Sequence, residues 1–337
     1  MAPKEQGVEN GYKSPSKGWI SYIPSSFVPY VQLARLVSAA PVFLIYFPHL
    51  FGTLHAASLL GSEHSQVLNT NLTLFVGSFF YSNAAHIWND LIDAPIDRLV
   101  TRTAHRPIPR GAVSRPVASI FATTQCLAAA ALLLPIPPVC ALFALPAIIG
   151  AGIYPFAKRV TYYPQVVLGL VLAWGIVMGE VAMGLNPFDS IEITASIGCL
   201  FLACAMWTVI YDMIYAHQDL DDDIKAGIKS MAVLYQRSAK NLLWTILAML
   251  SCLLIAGGVL SGMGSIYFVS SVAGTVMSLG LMIHKVQLKR PESCMWWFGN
   301  GFWSAGGAMA IGLLGQYMNT VRVLQKSLSN GTNRPHR

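Results

Sequence analysis

Charge is what this sequence has least of: Lys, Arg, Asp and Glu together make up 11% of its 337 residues, where soluble domains carry about a quarter. That shortage excludes a water-soluble globule, because too little polar side chain is left to cover a surface. Cysteine is sparse and scattered. Cys126, Cys140, Cys199, Cys204, Cys252 and Cys294 fall in apolar runs without a Cys-x-x-Cys pair, and read as small apolar fillers rather than disulfide partners or metal ligands. The 28 Gly and 19 Pro follow no period, which excludes a collagen-like chain, and no repeat of solenoid length recurs cleanly. Residues 1–30 lack the apolar core of a signal peptide and the Arg-rich, acid-poor character of a mitochondrial presequence. They are expected to form a cytosolic N-terminal tail.

Apolar length is what the chain has in abundance. Hydrophobic residues make up 54% of it, and at ~20 residues per membrane-spanning helix they divide into nine runs. These lie near 33–54, 72–92, 117–134, 139–157, 164–185, 191–214, 241–261, 264–284 and 295–318. The pattern predicts an all-α, polytopic transmembrane bundle of about nine helices, one domain over 31–320, with a C-terminal tail over 321–337. Pro135, Pro137 and Pro138 make the third connection either a tight turn or a kink in one bent helix. The net charge of +7 is topological and forms no nucleic-acid patch. With the N-terminus in the cytosol, the inner loops hold fourteen Lys and Arg, from Arg98 to Arg290, and the four outer connections hold none, a strong positive-inside pattern. Trp19, Tyr22, Trp296 and Trp297 are expected to be interfacial anchors.

The acidic residues are as unevenly placed as the basic ones. Eight of the fifteen are Asp90, Asp93, Asp97, Asp212, Asp219, Asp221, Asp222 and Asp223, in two stretches that each end an apolar run. In a helix Asn89, Asp93 and Asp97 advance ~6 Å per step and turn through only ~80° in all, so three oxygen-bearing side chains share one face. Asp219 and Asp223 repeat the spacing. Carboxylates one turn apart repel each other, and Mg²⁺, which takes a few carboxylates and completes its shell with substrate phosphates, is the counter-charge that suits them. Pro95 interrupts the first stretch and is expected to kink or end the helix there.

Two signatures carry a resemblance. The first runs Asn89-Asp90-x-x-Asp93-x-x-x-Asp97-Arg98-x-x-x-Arg102-Thr103-x-x-Arg106-Pro107-x-x-x-Gly111. The second runs Tyr211-Asp212-x-x-Tyr215-Ala216-His217-Gln218-Asp219-x-x-Asp222-Asp223-x-x-x-Gly227-x-x-Ser230. Both resemble those of UbiA-type membrane prenyltransferases, above all the 4-hydroxybenzoate polyprenyltransferase branch and the aromatic prenyltransferases of fungal meroterpenoid pathways. Weaker similarity runs from Arg35 through Tyr46-Phe47-Pro48-His49 and through Tyr154-Pro155-x-x-Lys158-Arg159. The resemblance implies nine helices around a cavity, with Mg²⁺ and an isoprenyl diphosphate at its cytosolic mouth. It implies Asn89, Asp93, Asp97, Asp219 and Asp223 as metal ligands, the four aspartates being catalytic. Asn89, Arg102, Arg106, Lys158, Arg159, Tyr215 and Lys225 are implied for the substrate; Lys158 and Arg159 read equally well as positive-inside anchors.

The implied reaction is Mg²⁺-dependent transfer of an isoprenyl group, farnesyl or similarly short, to a phenolic, polyketide-derived acceptor in an endoplasmic reticulum or related endomembrane. A 4-hydroxybenzoate polyprenyltransferase of ubiquinone biosynthesis and a membrane terpene cyclase on the same scaffold are the alternatives. A cation carrier would place its carboxylates near the bilayer midplane, whereas these crowd one face beside Arg and Lys. Many relatives carry Arg where this chain has Ser82 and a charged stretch where it has Ser38, Ala39 and Ala40; these small residues are expected to leave room for a bulkier acceptor. Glu180, costly in lipid, is a further candidate base, while His49, His86 and His217 read as packing residues. Substrates and membrane lipid are the partners expected, with no nucleic acid and no obligate protein partner. Asn71-Leu72-Thr73 and Asn330-Gly331-Thr332 are glycosylation sequons. Nine spans place the C-terminus on the outer side, so a C-terminal tag should be protected from protease in sealed microsomes; a cleaved tag would mean an even number of spans.

Overall fold

The computed structural model describes residues 18–332, and among them the regular elements are all helical. After a short turn at Trp19–Tyr22 come α1 (Val28–Leu33), α2 (Ala40–Leu60), α3 (His64–Asp97), α4 (Arg115–Ala131), α5 (Cys140–Val160), α6 (Pro164–Ala182) and α7 (Ile191–Ala216). A 3-10 turn at His217–Asp219 leads into α8 (Leu220–Ala226) and α9 (Met231–Leu234). The described residues end with α10 (Ala239–Leu260), a π-helical segment at Tyr267–Gly274 continuous with α11 (Thr275–Lys285), and α12 (Pro291–Thr332). Among the described residues six helices are long and apolar enough to cross a membrane: α2, α5, α6, the stretch Ile191–Ala226, α10 and Tyr267–Lys285. The other three predicted runs coincide with α3 and α12, which carry more polar side chains, and with α4, only 17 residues long. Pro135 to Pro138 form the connection between α4 and α5 rather than a kink within one helix. The C-terminal tail is helical to Thr332, in one helix with the last run. Residues 1–17 of the expected N-terminal tail lie outside the described residues.

The helices are held at close range by small residues, as in other lipid-facing bundles, where lipid removes the hydrophobic drive between helices. Gly175 and Gly179 stand one turn apart on α6 against Gly52 of α2. A Cβ on Gly179 would strike the His49 carbonyl and the Thr53 amide, and one on Gly52 the Ile176 carbonyl. Beside this crossing, Phe43, Phe47 and Phe51 of α2 meet Trp207 of α7 and Phe302 and Trp303 of α12, with ring centroids 4.6–6.3 Å apart. These rings fill the half of the bundle built by α2, α7 and α12. The open space is therefore eccentric: a cavity of about 470 Å³ lies between α2, α3, α4, α5 and α6. At Tyr267–Gly274 the wider turn brings three hydroxyls onto α12. Ser270 donates to the Ala308 carbonyl, Ser271 to Met309 and Thr275 to Ala305, at 3.2, 2.8 and 3.3 Å.

Helix α3 passes through Pro95 and continues to Asp97. Proline has no N–H for the carbonyl four residues back, and that carbonyl, of Leu91, accepts instead from the Arg115 guanidinium at 2.8 Å. The first acidic stretch thus keeps its helical facing. Within α3 the sequon residue Asn71 is buried; it accepts from Thr53 Oγ1 at 2.8 Å and donates to the Val67 carbonyl at 2.8 Å. Its amide is committed to the packing of α2 on α3, which rules it out as a glycan acceptor. The Asn330 side chain lies outside the described residues.

Substituting alanine at two glycines separates close packing from helix propensity. Gly179→Ala should lower the thermal unfolding midpoint of the detergent-solubilised protein by the equivalent of about 1–3 kcal/mol, as overfilling a packed contact does. Gly198→Ala, where a Cβ meets nothing within 4 Å, should be neutral or slightly stabilising. Equal midpoints for the two variants would mean that the α2–α6 contact is not tight.

Candidate active site

At one end of the bundle the two acidic stretches meet the basic loops. Asn89, Asp90, Asp93 and Asp97 project from the last turns of α3, and the loop that follows returns Arg106 to them. Arg106 Nη1 lies 3.1 Å from Asp90 Oδ1 and 2.8 Å from Asp97 Oδ2, and so bridges two carboxylates of one helix. Arg35, ahead of α2, reaches the same Asp90 oxygen at 2.6 Å. From the end of α5, Lys158 approaches Asp93 Oδ2 at 3.0 Å and Arg159 approaches Oδ1 at 3.7 Å. Arg102 forks onto Asp219, with Nε 2.9 Å from Oδ1 and Nη2 2.6 Å from Oδ2, and its guanidinium lies 5.0 Å from the centre of the Tyr215 ring. The Thr101 amide donates to Asp222 at 3.0 Å, which docks the first loop on α8.

Burial shapes these charges. Asp90 is fully enclosed, and Asp93, Asp97 and Asp223 are buried. Burial alone pulls the Arg106 guanidinium towards neutrality, but Asp90, Asp97 and Tyr215 outweigh it and raise its pKa. For Arg102 burial is again overcome, here by Tyr215 and Asp219. Arg35 goes the other way: burial lowers its pKa despite Asp90. Its backbone is left-handed, with φ of 59°, a conformation uncommon outside glycine that functional sites tend to hold.

The cavity ends near this cluster, although no charged residue of the cluster lines it. Trp88 and Gly152, adjoining Asn89 on α3 and two turns from Lys158 on α5, line one end, and Thr73, Leu74 and Leu133 line the other. Along α3 it extends for ~22 Å at the helical rise, with walls that are mostly aliphatic and aromatic.

The UbiA prenyltransferase family model matches residues 45–306. The chain belongs to this family. It is 36% identical over 322 residues to the prenyltransferase stbC of Stachybotrys bisbyi, covering 94% of this chain and 96% of that one. It is 34% identical over 286 residues to the mitochondrial 4-hydroxybenzoate polyprenyltransferase of Schizosaccharomyces pombe, covering 85% and 79%. Among solved structures, a UbiA homologue of Aeropyrum pernix superposes with a TM-score of 0.63 at 24% identity, over 83% of this chain and 98% of that one. One from Archaeoglobus fulgidus, bound to GPP and Mg²⁺, gives 0.60 at 17% identity, over 87% and 99%; at this identity the likeness is one of fold. This UbiA-family chain is a membrane prenyltransferase.

The metal set expected for the family is not gathered at one point. Among the described residues no three His, Cys, Asp or Glu side chains converge closely enough to hold an ion. The three α3 carboxylates are spread along ~10 Å of the helix, and each turns to an Arg or Lys. The donor set nonetheless fits Mg²⁺. Asn89 Oδ1 and Asp93 Oδ1 are buried without a hydrogen bond, Asp223 makes no ion pair among the described residues, and all three offer hard oxygen, of which Mg²⁺ needs only one or two carboxylates beside phosphate.

Asn89, Asp93, Asp97, Arg102, Arg106, Lys158, Arg159, Tyr215, Asp219 and Asp223 thus share one end of the molecule. Lys225 stands apart: its side chain is 77% exposed and, among the described residues, pairs only with Asp222, at 3.8 Å. Glu180 is at the other end of α6, ~24 Å along the helix from Pro164, where His55 Nδ1 lies 2.6 Å away and joins it to Ser261. Ser38, Ala39, Ala40 and Ser82 do not line the cavity. Arg35 and Asp90 were not among the expected site residues. Asp90 had a signal, since it precedes Asp97 by two turns and shares its face.

Asp90→Ala leaves two largely buried guanidiniums facing one another and should destabilise the protein by about 3–5 kcal/mol, read as a fall in its thermal midpoint. Lys225→Ala, which removes one exposed partner, should leave the midpoint unchanged. Comparable losses would show that Asp90 is not the counter-charge that holds the cluster.

Proposed function

We propose that this enzyme transfers an isoprenyl group, farnesyl or of similar length, from its diphosphate to a ring carbon of a phenolic, polyketide-derived acceptor. Mg²⁺ is its metal, and the site faces the cytosol from an endoplasmic reticulum-type membrane. The observation that supports this reading most is the adjacency of an interleaved Asp, Arg and Lys cluster to a long apolar cavity. One end suits a diphosphate and the other a hydrocarbon chain. The prenyltransferases among its fungal relatives and the GPP and Mg²⁺ held by the archaeal neighbour favour the same donor class.

Charge balance leads to the metal. Asp90, Asp93, Asp97, Asp219 and Asp223 face Arg35, Arg102, Arg106, Lys158 and Arg159, five against five, so a diphosphate brings in negative charge that the side chains do not already offset. Asn89, Asp93 and Asp223 would hold Mg²⁺, which supplies counter-charge to the leaving diphosphate. Arg102, Arg106, Lys158 and Arg159 donate to the phosphate oxygens with donors already aimed by their carboxylates, so little reorganisation accompanies bond breaking. The Tyr215 ring, packed 4.3 Å from Phe298, flanks Arg102 and helps wall off water. The apolar cavity keeps water from the allylic carbon as the C–O bond weakens, leaving the aromatic acceptor as the nucleophile.

Microsomes containing the protein, supplied with isoprenyl diphosphates of several lengths, a panel of phenols and Mg²⁺, should form prenylated phenols identifiable by mass. Excess chelator should abolish the product and added Mg²⁺ restore it. Asp93→Ala and Asp219→Ala should each reduce turnover by about 10²-fold or more with normal membrane insertion. Hydrocarbon released from the donor alone would favour the cyclase, and near-normal turnover in either variant would remove the two-cluster site.

A further inference from the structure

His86 lies on the same stripe of α3 as the acidic motif. At 100° per residue, Ser82, His86, Asn89, Asp90, Asp93 and Asp97 fall within an arc of ~100°, so the imidazole continues the motif face one turn deeper into the bundle. Its axial offset from Asn89 and Asp90 is ~5 Å, on the side away from the loops.

The hydrogen bonding of this ring fixes which nitrogen is available. Nδ1 lies 2.7 Å from the Ser82 carbonyl and 3.3 Å from its hydroxyl. A carbonyl only accepts, so Nδ1 carries the proton, and in the neutral ring Nε2 presents a lone pair. The ring is half-buried and Nε2 takes no hydrogen bond among the described residues. Among the other deep imidazoles, His55 uses both nitrogens, on Glu180 and Ser261. His49 and His217 also turn Nδ1 to the carbonyl four residues back, but His49 lies on α2 against Gly175 rather than on the motif face of α3, and the Nε2 of His217 is itself buried.

We infer that His86 is a catalytic residue that binds the acceptor, its Nε2 accepting the hydrogen bond and then the proton of the acceptor's phenolic hydroxyl. This rests on the aromatic prenyl transfer proposed above. His86 does not line the cavity; it shares the motif face of α3, so a donor whose diphosphate sits on that face brings its reacting carbon, which adjoins the diphosphate, one step inward to the level of His86. As the hydroxyl proton passes to Nε2, the ring's electron pair forms the new C–C bond at that carbon, and diphosphate departs with the C–O electrons. The resulting dienone loses its ring proton and regains one on oxygen from the imidazolium, so that one proton is released for each diphosphate. Ser82 is the positioning residue, since its carbonyl sets the tautomer.

The test uses the full-length protein in microsomes with farnesyl diphosphate, Mg²⁺ and paired phenols, each with a fluorinated, more acidic counterpart. His86→Asn retains an amide that can donate to the carbonyl four residues back, as Asn71 does to Val67, and lacks any group at Nε2. His86→Gln is a second variant that places a non-basic amide near Nε2. Both should lower kcat by about 10²–10⁴-fold with the donor KM within about twofold of wild type. Both deficits should shrink at least tenfold or so on the more acidic phenol, which needs less help to lose its proton. Turnover within about threefold of wild type, or a deficit equal on both phenols, would overturn the assignment while leaving prenyl transfer in place. If the wild type prenylates none of the phenols, the underlying reading fails and the assignment fails with it.

Discussion

The bridge that Arg106 makes between Asp90 and Asp97 is the contact on which the acidic end depends. Two carboxylates of one helix, two turns apart and shielded from water, repel each other unless a cation lies between them. Arg106 returns from the loop beyond α3 to supply it and so folds residues 98–114 back over the helix end. Arg102 in the same loop then falls beside Asp219, and Thr101 beside Asp222. One ion pair on the first stretch thereby sets where the second is held. Without it, nothing in the helical propensities of α3 or α8 would bring their ends together.

A second constraint keeps that end straight. The Pro95 ring should break the ladder in the middle of the motif, and the Arg115 guanidinium occupies the stranded carbonyl. Arg159 does similarly at Ile92, donating at 2.8 Å. The basic residues of these loops therefore serve the protein backbone as well as any anionic substrate. This dual use accounts for a site dense in cations that presents so little unbalanced charge.

Much of this was legible in the residues, for reasons specific to each. The apolar runs reported the long helices because lipid-facing segments admit few charges, and the Asp spacing reported the shared face because helical periodicity is rigid. Partner choice was not legible. Whether Lys158 anchors the membrane or meets Asp93, and whether Lys225 joins the cluster, depends on loop paths that no periodicity encodes. Arg35 opens only a stretch of weaker similarity, with no carboxylate beside it in sequence, and enters the site through a left-handed backbone conformation. His86 read as packing because its neighbours in sequence are apolar, although its register on the motif face was available from simple helical geometry. The space beside Ser38 to Ala40 was expected to be a pocket, and those residues instead lead into α2 away from the cavity.

The π-helical turn at Tyr267–Gly274 makes the adjoining helix sensitive to length. Such turns correspond to one extra residue in an otherwise α-helical path, and here that residue lets Ser270, Ser271 and Thr275 face α12 together. Beyond it, Leu279, Met282 and Ile283 are fully buried. Loss of a single residue in this stretch would restore the ordinary ladder and swing those three side chains through ~100°, out of the core. The stretch can therefore drift in side-chain identity over evolution far more readily than in residue number, and an indel here would be purged where a substitution would pass.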